Sequence, residues 1–133
     1  MLSKILNVVK FYRAWKHGNG FKPIHVSLYP TYKCNLKCRM CAFWRFNSKD
    51  VRLSAAEWYM LLDELRQCGT RSISFSGGEP LLFDDLIPVL EKAYRLNFKL
   101  SITTNGTLVD NEYAHVLTKY FNNVRISLHS GIE

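Results

Sequence analysis

The chain has 133 residues, 47% of them apolar, and a formal net charge of +7, which is enough for one domain with a core of its own. The charge is lopsided: residues 1–49 carry ten Lys or Arg and no acid, whereas residues 50–133 carry eight bases against eleven acids. No apolar run reaches membrane-spanning length, no strand combines aromatic and basic residues as RNA-binding sheets do, and the N-terminus lacks the uncharged apolar core of a signal peptide. A cytoplasmic protein with no membrane span and no nucleic-acid partner is expected.

In chain order, residues 1–20 are expected to form an amphipathic helix and a linker. Leu2, Ile5, Leu6, Val9 and Tyr12 fall at helical spacing, lysines and arginines fill the rest of the wheel, and Gly18-Asn19-Gly20 stops the helix near residue 16. Such a helix is read as docked over one end of the domain rather than lying on a membrane.

Residues 24–29 read as a strand, followed by a cysteine-bearing loop that runs on through Phe43, Trp44 and Phe46. Ser54-Ala55-Ala56-Glu57 has the form of a capping box and opens a helix to residue 67, which Gly69 stops. Strands are expected at 71–76, 98–104 and 124–129, with helices at 85–95 and 110–120. Pro88 fits the second of these three helices only if that helix begins no earlier than about Asp84. The order βαβαβαβ implies a parallel sheet.

Parallel strands usually read as unbroken apolar runs because both faces are buried. Here all four alternate: His25 and Ser27 interleave with Ile24, Val26 and Leu28; Ser72, Ser74 and Ser76 with Ile73 and Phe75. Ser101, Thr103 and Asn105 interleave with Leu100 and Ile102; Arg125, Ser127 and His129 with Val124, Ile126 and Leu128. Neighbouring side chains on a strand face opposite ways. One face of the sheet is therefore polar, and with a helix in every connection it is expected to line a cavity on the inside of a curved, barrel-like sheet.

Chemistry is expected at the carboxyl ends of the strands. Strand one is followed by Cys34, Cys38 and Cys41, a C-x3-C-x2-C spacing of soft ligands that suits zinc or an iron–sulfur cluster. Zinc would need a fourth ligand, whereas a cubane on three thiolates leaves one iron open. Lys33, Lys37, Arg39 and Arg45 would help keep the thiols deprotonated. The fourth cysteine, Cys68, ends the first long helix and reads as a small buried hydrophobe. Strand two is followed by Gly77-Gly78-Glu79-Pro80: the double glycine permits close backbone approach, and the proline holds Glu79 extended, so that its carboxylate and nearby carbonyls face an ammonium group. Strand three is followed by Thr104-Asn105-Gly106, and strand four carries Ser127 and His129.

Taken together, over about residues 24–130, these motifs resemble the radical S-adenosylmethionine enzymes, and their joint order outweighs the zinc alternative. The resemblance implies a partial TIM barrel of six βα units, of which about four are present, so residues 21–133 are read as a core truncated after its fourth strand. It implies that Cys34, Cys38 and Cys41 bind a 4Fe–4S cluster. Gly77, Gly78, Glu79 and Pro80 match the segment that holds the methionine ammonium, and Asn105 and Ser127 match contacts to the ribose or carboxylate. Thr103 is counted among the cofactor-binding positions, and Met40, where the family often has an aromatic residue, is expected to pack on the adenine. The implied activity is reductive cleavage of S-adenosylmethionine to a 5′-deoxyadenosyl radical that abstracts hydrogen from a substrate, a peptide or a cofactor precursor being the commonest. An external flavodoxin-like or ferredoxin-like electron donor is also implied. The alternative is a non-catalytic iron–sulfur or electron-transfer module, or an inactive fragment, completed by a partner chain.

Overall fold

Four strands form where apolar and polar residues alternate: β1 (His25–Leu28), β2 (Ser72–Phe75), β3 (Lys99–Thr104) and β4 (Asn123–Ile126). The computed structural model describes residues 22–45 and 52–128. The expected helix over 2–16 and the positions Phe46 and His129 lie outside the described residues. All strand pairs are parallel, and the order in the sheet is β1-β2-β3-β4. Successive βα units are thus laid side by side, which is the expected α/β architecture. Each strand is shorter than the range expected for it, and β4 ends at Ile126, so Ser127 lies just past it.

Three helices join the strands. α1 (Ala55–Gln67) starts on the anticipated capping box, with Glu57 N donating to Ser54 Oγ at 3.4 Å and Ser54 N to Glu57 Oε2 at 2.7 Å. The Ser54 hydroxyl, donating to the same Oε2 at 2.7 Å, and then the backbone bond hold the exposed Glu57 carboxyl below its ordinary pKa. α2 (Leu86–Arg95) carries Pro88 in its first turn, where the missing N–H costs no helical bond. It buries Leu86, Val89, Leu90 and Ala93, an i, i+3, i+4, i+7 stripe. α3 (Asn111–Tyr120) is capped by Asp110, whose side chain accepts from Tyr113 N at 2.8 Å. Lys92 reaches from α2 to Asp63 of α1 at 2.8 Å, tying neighbouring helices.

One face of the sheet joins these helices in a single core: Ile73, Phe75, Leu100 and Ile102 pack with Trp58, Leu62, Leu90 and Leu117. Cys68 departs from expectation. It lies one residue past the last turn of α1 and is exposed, because that turn points its end away from the core.

What positions the functional end of the sheet is backbone on backbone. Beyond β1 and β2, Gly78 N donates to Thr31 O at 3.0 Å and Glu79 N to Lys33 O at 2.7 Å, so the double glycine and the cysteine loop run against each other. Gly77 has φ +114°, a left-handed value that favours glycine. At Gly78 a β-carbon would overlap the Lys33 carbonyl oxygen and stand 2.6 Å from Tyr32 O. The close approach foreseen for Gly78 is thus made to the cysteine loop's own backbone.

Gly78→Ala should therefore push the cysteine loop away and cost about 1–3 kcal/mol, the usual range for forced overpacking. Urea unfolding would read the loss, and amide NMR shifts confined to Thr31–Cys34 would read the displacement. An unshifted midpoint would show that the loop yields freely.

Candidate functional site

The loop after β1 is built from its own short-range bonds. Thr31 is buried, and its hydroxyl accepts from Lys33 N at 3.0 Å, turning the chain into Cys34. Leu36 N approaches Cys34 Sγ at 3.4 Å, Cys41 N donates to Cys38 O at 3.1 Å, and the Trp44 indole N–H donates to the same carbonyl at 3.2 Å. Phe43 folds back to stack on Tyr32, with ring centroids 5.9 Å apart. All three thiols of the loop are half-buried, and none is in a disulfide.

After β2, a short 3₁₀ turn (Pro80–Leu82) begins on Glu79. Glu79 has the expected extended backbone, φ −112° and ψ 108°, but its side chain does something the sequence did not announce. It is only 1% exposed and its carboxylate accepts three hydrogen bonds: from Leu81 N at 3.1 Å, Thr104 Oγ1 at 2.7 Å and Asn105 N at 2.8 Å. A carboxylate offers about four acceptor positions, so most are already taken by protein. Tyr113 of α3 holds the same turn by donating its hydroxyl to Leu81 O at 3.1 Å, and burial, followed by the charges of Asp110 and other nearby carboxylates, pushes the phenol's pKa up.

After β3, Asn105 bends back toward the cysteine loop. Its Nδ2 donates to Asn35 Oδ1 at 2.8 Å and stands 4.0 Å from Cys34 Sγ; its Oδ1 accepts from Thr107 N at 2.9 Å and Thr107 Oγ1 at 2.7 Å. Asn35 Nδ2 completes the ring by donating to Thr107 Oγ1 at 2.8 Å. The two loops are clasped through their side-chain amides.

Among the foreseen positions, Cys34, Gly77, Gly78, Glu79 and Asn105 therefore come together. Pro80 is buried at the start of its turn. Ser127 is half-buried just past β4, its N–H donating to Thr104 O at 2.9 Å. Thr103 lies lower, on the polar face beside Arg125. Met40 is 79% exposed on the outer bend of the loop. Sequence reading named Thr104 only as part of the motif after strand three, with no role for its hydroxyl, and passed over Asn35 and Thr107. Thr104 left a trace, being a hydroxyl on the same face of β3 as Leu100 and Ile102; the other two looked like ordinary loop residues.

Glu79→Gln keeps the shape but turns an amide N–H₂ toward protein donors, and a buried donor left without an acceptor costs about 1–3 kcal/mol. The variant should lose that much in urea unfolding with no ligand added. An unchanged midpoint would mean the carboxylate is not the staple.

Known proteins resemble this chain in sequence and fold. The chain is 40% identical over 87 residues to an S-adenosylmethionine-dependent nucleotide dehydratase of Selenomonas ruminantium, covering 65% of this chain and 31% of that protein. It is 33% identical over 113 residues to a probable GTP 3′,8-cyclase of Methanothermobacter thermautotrophicus, covering 84% of this chain and 36% of that protein. The chain thus spans about a third of the length of these curated relatives. Among solved structures, Streptococcus suis SuiB bound to S-adenosylmethionine superposes with a TM-score of 0.71 at 27% identity, over 97% of this chain and 29% of SuiB. The cofactors of the family these proteins represent are a 4Fe–4S cluster and S-adenosylmethionine. The sequence model of the Radical SAM superfamily matches residues 28–132, from the end of β1 through all four strand ends, and the chain belongs to that family.

Proposed function

We propose that this chain is the cofactor-binding part of a radical S-adenosylmethionine enzyme, and that Cys34, Cys38 and Cys41 hold its 4Fe–4S cluster. The observation that carries the proposal is the loop itself: three half-buried thiols within eight residues, none in a disulfide, on a loop pinned by backbone bonds to the double-glycine segment at the next strand end. The donors fit the group. Thiolates are the soft ligands that iron–sulfur clusters take. A lone zinc would want a fourth ligand to close its tetrahedron, and among the described residues no three His, Cys, Asp or Glu side chains converge on a single metal ion.

When bound, the cluster and S-adenosylmethionine supply a reductively generated 5′-deoxyadenosyl radical that takes hydrogen from a substrate; the electron comes from an external flavodoxin-like or ferredoxin-like donor. The chain's own part is to place and shield them. The backbone at Gly77 and Gly78 borders the methionine end, while Glu79 and Pro80 act from behind by fixing that segment. Asn105 and Ser127 would contact the ribose or carboxylate, Thr103 would be a further cofactor-binding position, and Met40 would pack on the adenine. The Asn35–Asn105–Thr107 clasp keeps the first ligand's loop at a constant distance from the end of β3. Among the described residues no helix is long and apolar enough to cross a membrane.

The substrate is where relatives differ. Two curated relatives carry names that refer to nucleotides, and SuiB was also solved with its precursor peptide SuiA.

Single Cys→Ala changes at Cys34, Cys38 or Cys41 should abolish the 4Fe–4S EPR signal and the release of 5′-deoxyadenosine by the reduced, anaerobically reconstituted chain. Cys68→Ala, at an exposed position past α1, should leave both intact. Full iron loading in Cys38→Ala, or zinc in its place, would overturn the assignment.

A further inference from the structure

The polar face of the sheet is more specific than a cavity wall needs to be. It forms a concavity of about 470 Å³ lined by five serines, Thr103, His25, Lys99 and Arg125, among others. No Asp or Glu is among the lining residues. The ion pairs seen on the described residues lie elsewhere, on Arg52, Lys92 and Arg95, so among the described residues neither Lys99 nor Arg125 is paired with a carboxylate. A hollow walled by low-dielectric protein and lined by one sign of charge concentrates ions of the other sign.

The hydroxyls are organised as well. His25 bridges two of them, with Nδ1 2.9 Å from Ser72 Oγ and Nε2 3.2 Å from Ser74 Oγ, and Ser74 Oγ lies 2.6 Å from Ser101 Oγ. That chain orients its members across three strands at the floor of the hollow. For Ser27, Ser76 and Thr103, which also line the hollow, no such side-chain bond is seen among the described residues. Arg125 stands opposite Thr103 in the strand register, and Lys99 lies four residues nearer the start of β3. At the usual rise along a strand their attachment points are roughly 13 Å apart along the sheet.

We propose that this hollow binds the phosphate group of a phosphorylated small-molecule substrate, with Arg125 and Lys99 as its cationic anchors. The proposal names the substrate class for the site under Proposed function and rests on that reading. Phosphate suits the lining better than carboxylate does. Two separated cations and several hydroxyl donors exceed the roughly four acceptor positions of one carboxylate, whereas a phosphate or oligophosphate brings more oxygens and more charge. The direction is also productive. Both anchors lie below the strand ends, so an anion held there directs the rest of the molecule up toward the cysteine loop, where its C–H bonds would meet the radical.

The test uses inorganic tripolyphosphate as the probe, titrated by calorimetry into the anaerobically reconstituted chain at fixed ionic strength. A charge-assisted hydrogen bond lost from the site should weaken binding roughly tenfold or more, so Arg125→Gln and Lys99→Gln should each do so. Lys119→Gln, on α3 away from the hollow, removes the same unit of charge and should change little. Equal weakening in all three variants would reduce the effect to general attraction by a basic chain and overturn the proposal. So would the absence of saturable binding, which would leave a peptide as the favoured substrate class. S-adenosylmethionine cleavage, measured on the same preparation, separates the two readings. Cleavage without anion binding removes only the substrate class; anion binding without cleavage supports the hollow and removes the radical reading.

Discussion

The buried carboxylate of Glu79 is the constraint on which the arrangement of strand ends depends. It sits in almost complete exclusion from water, and burial of such a group is tolerable only when donors surround it. Those donors come from its own 3₁₀ turn and from the end of β3, two segments far apart in sequence. Because its backbone N–H is also bonded to Lys33 O, the same residue joins the cysteine loop, the turn after β2 and the loop after β3. Hydrogen bonds to a carboxylate are stronger and more directional than neutral ones. The relative placement of three loops is thereby set by one side chain and one peptide unit, and the amide clasp at Asn35 and Asn105 reinforces it from the solvent side.

The sheet achieves the second requirement of such a site, a hydrophilic interior beside a dry core. Its alternating strands give Ile73, Phe75, Leu100 and Ile102 to the helices and Ser72, Ser74, Ser101 and Thr103 to the hollow. Side-chain alternation makes this division automatic once register is fixed, and the parallel pairing keeps residues of like character in rows across strands. β4 is the exception on the core side: every one of its residues is exposed, and Val124 and Ile126 project apolar surface beyond the core that the helices cover.

Much of this was legible in the sequence for definite reasons. The capping box at Ser54 and Glu57, the helix stop at Gly69, the tolerance of Pro88 in a first turn and the two-residue period of the strands are local signals, and local physics decides them. The strand-end motifs were legible because parallel βα repeats put every such end on the same rim. Connections between rims were not. Nothing near Glu79 in sequence announces Thr104 and Asn105 as its donors, and Asn35 reads as any polar loop residue until β3 is laid beside β1's loop. Cys68 shows the opposite error: its residue type suggested burial, but its place beyond the final turn of α1 decided exposure. The role foreseen for Gly78, closeness to a ligand, was inferred from the freedom of glycine alone; which neighbour fills the space is a tertiary fact.

That neighbour has a consequence for how such a domain changes over time or in the laboratory. The loop carrying the cysteines and the segment carrying the glycines touch through main-chain atoms, with Lys33 and Tyr32 carbonyls occupying the volume where a side chain at position 78 would begin. Apart from the two glycines, side chains at the contact are free to vary, since its hydrogen bonds run between main-chain atoms. The path of either backbone is not. Exchanging one loop for a differently shaped one would require its counterpart across the seam to travel with it, so the two segments, separated by more than thirty residues of chain, behave as a single transplantable module.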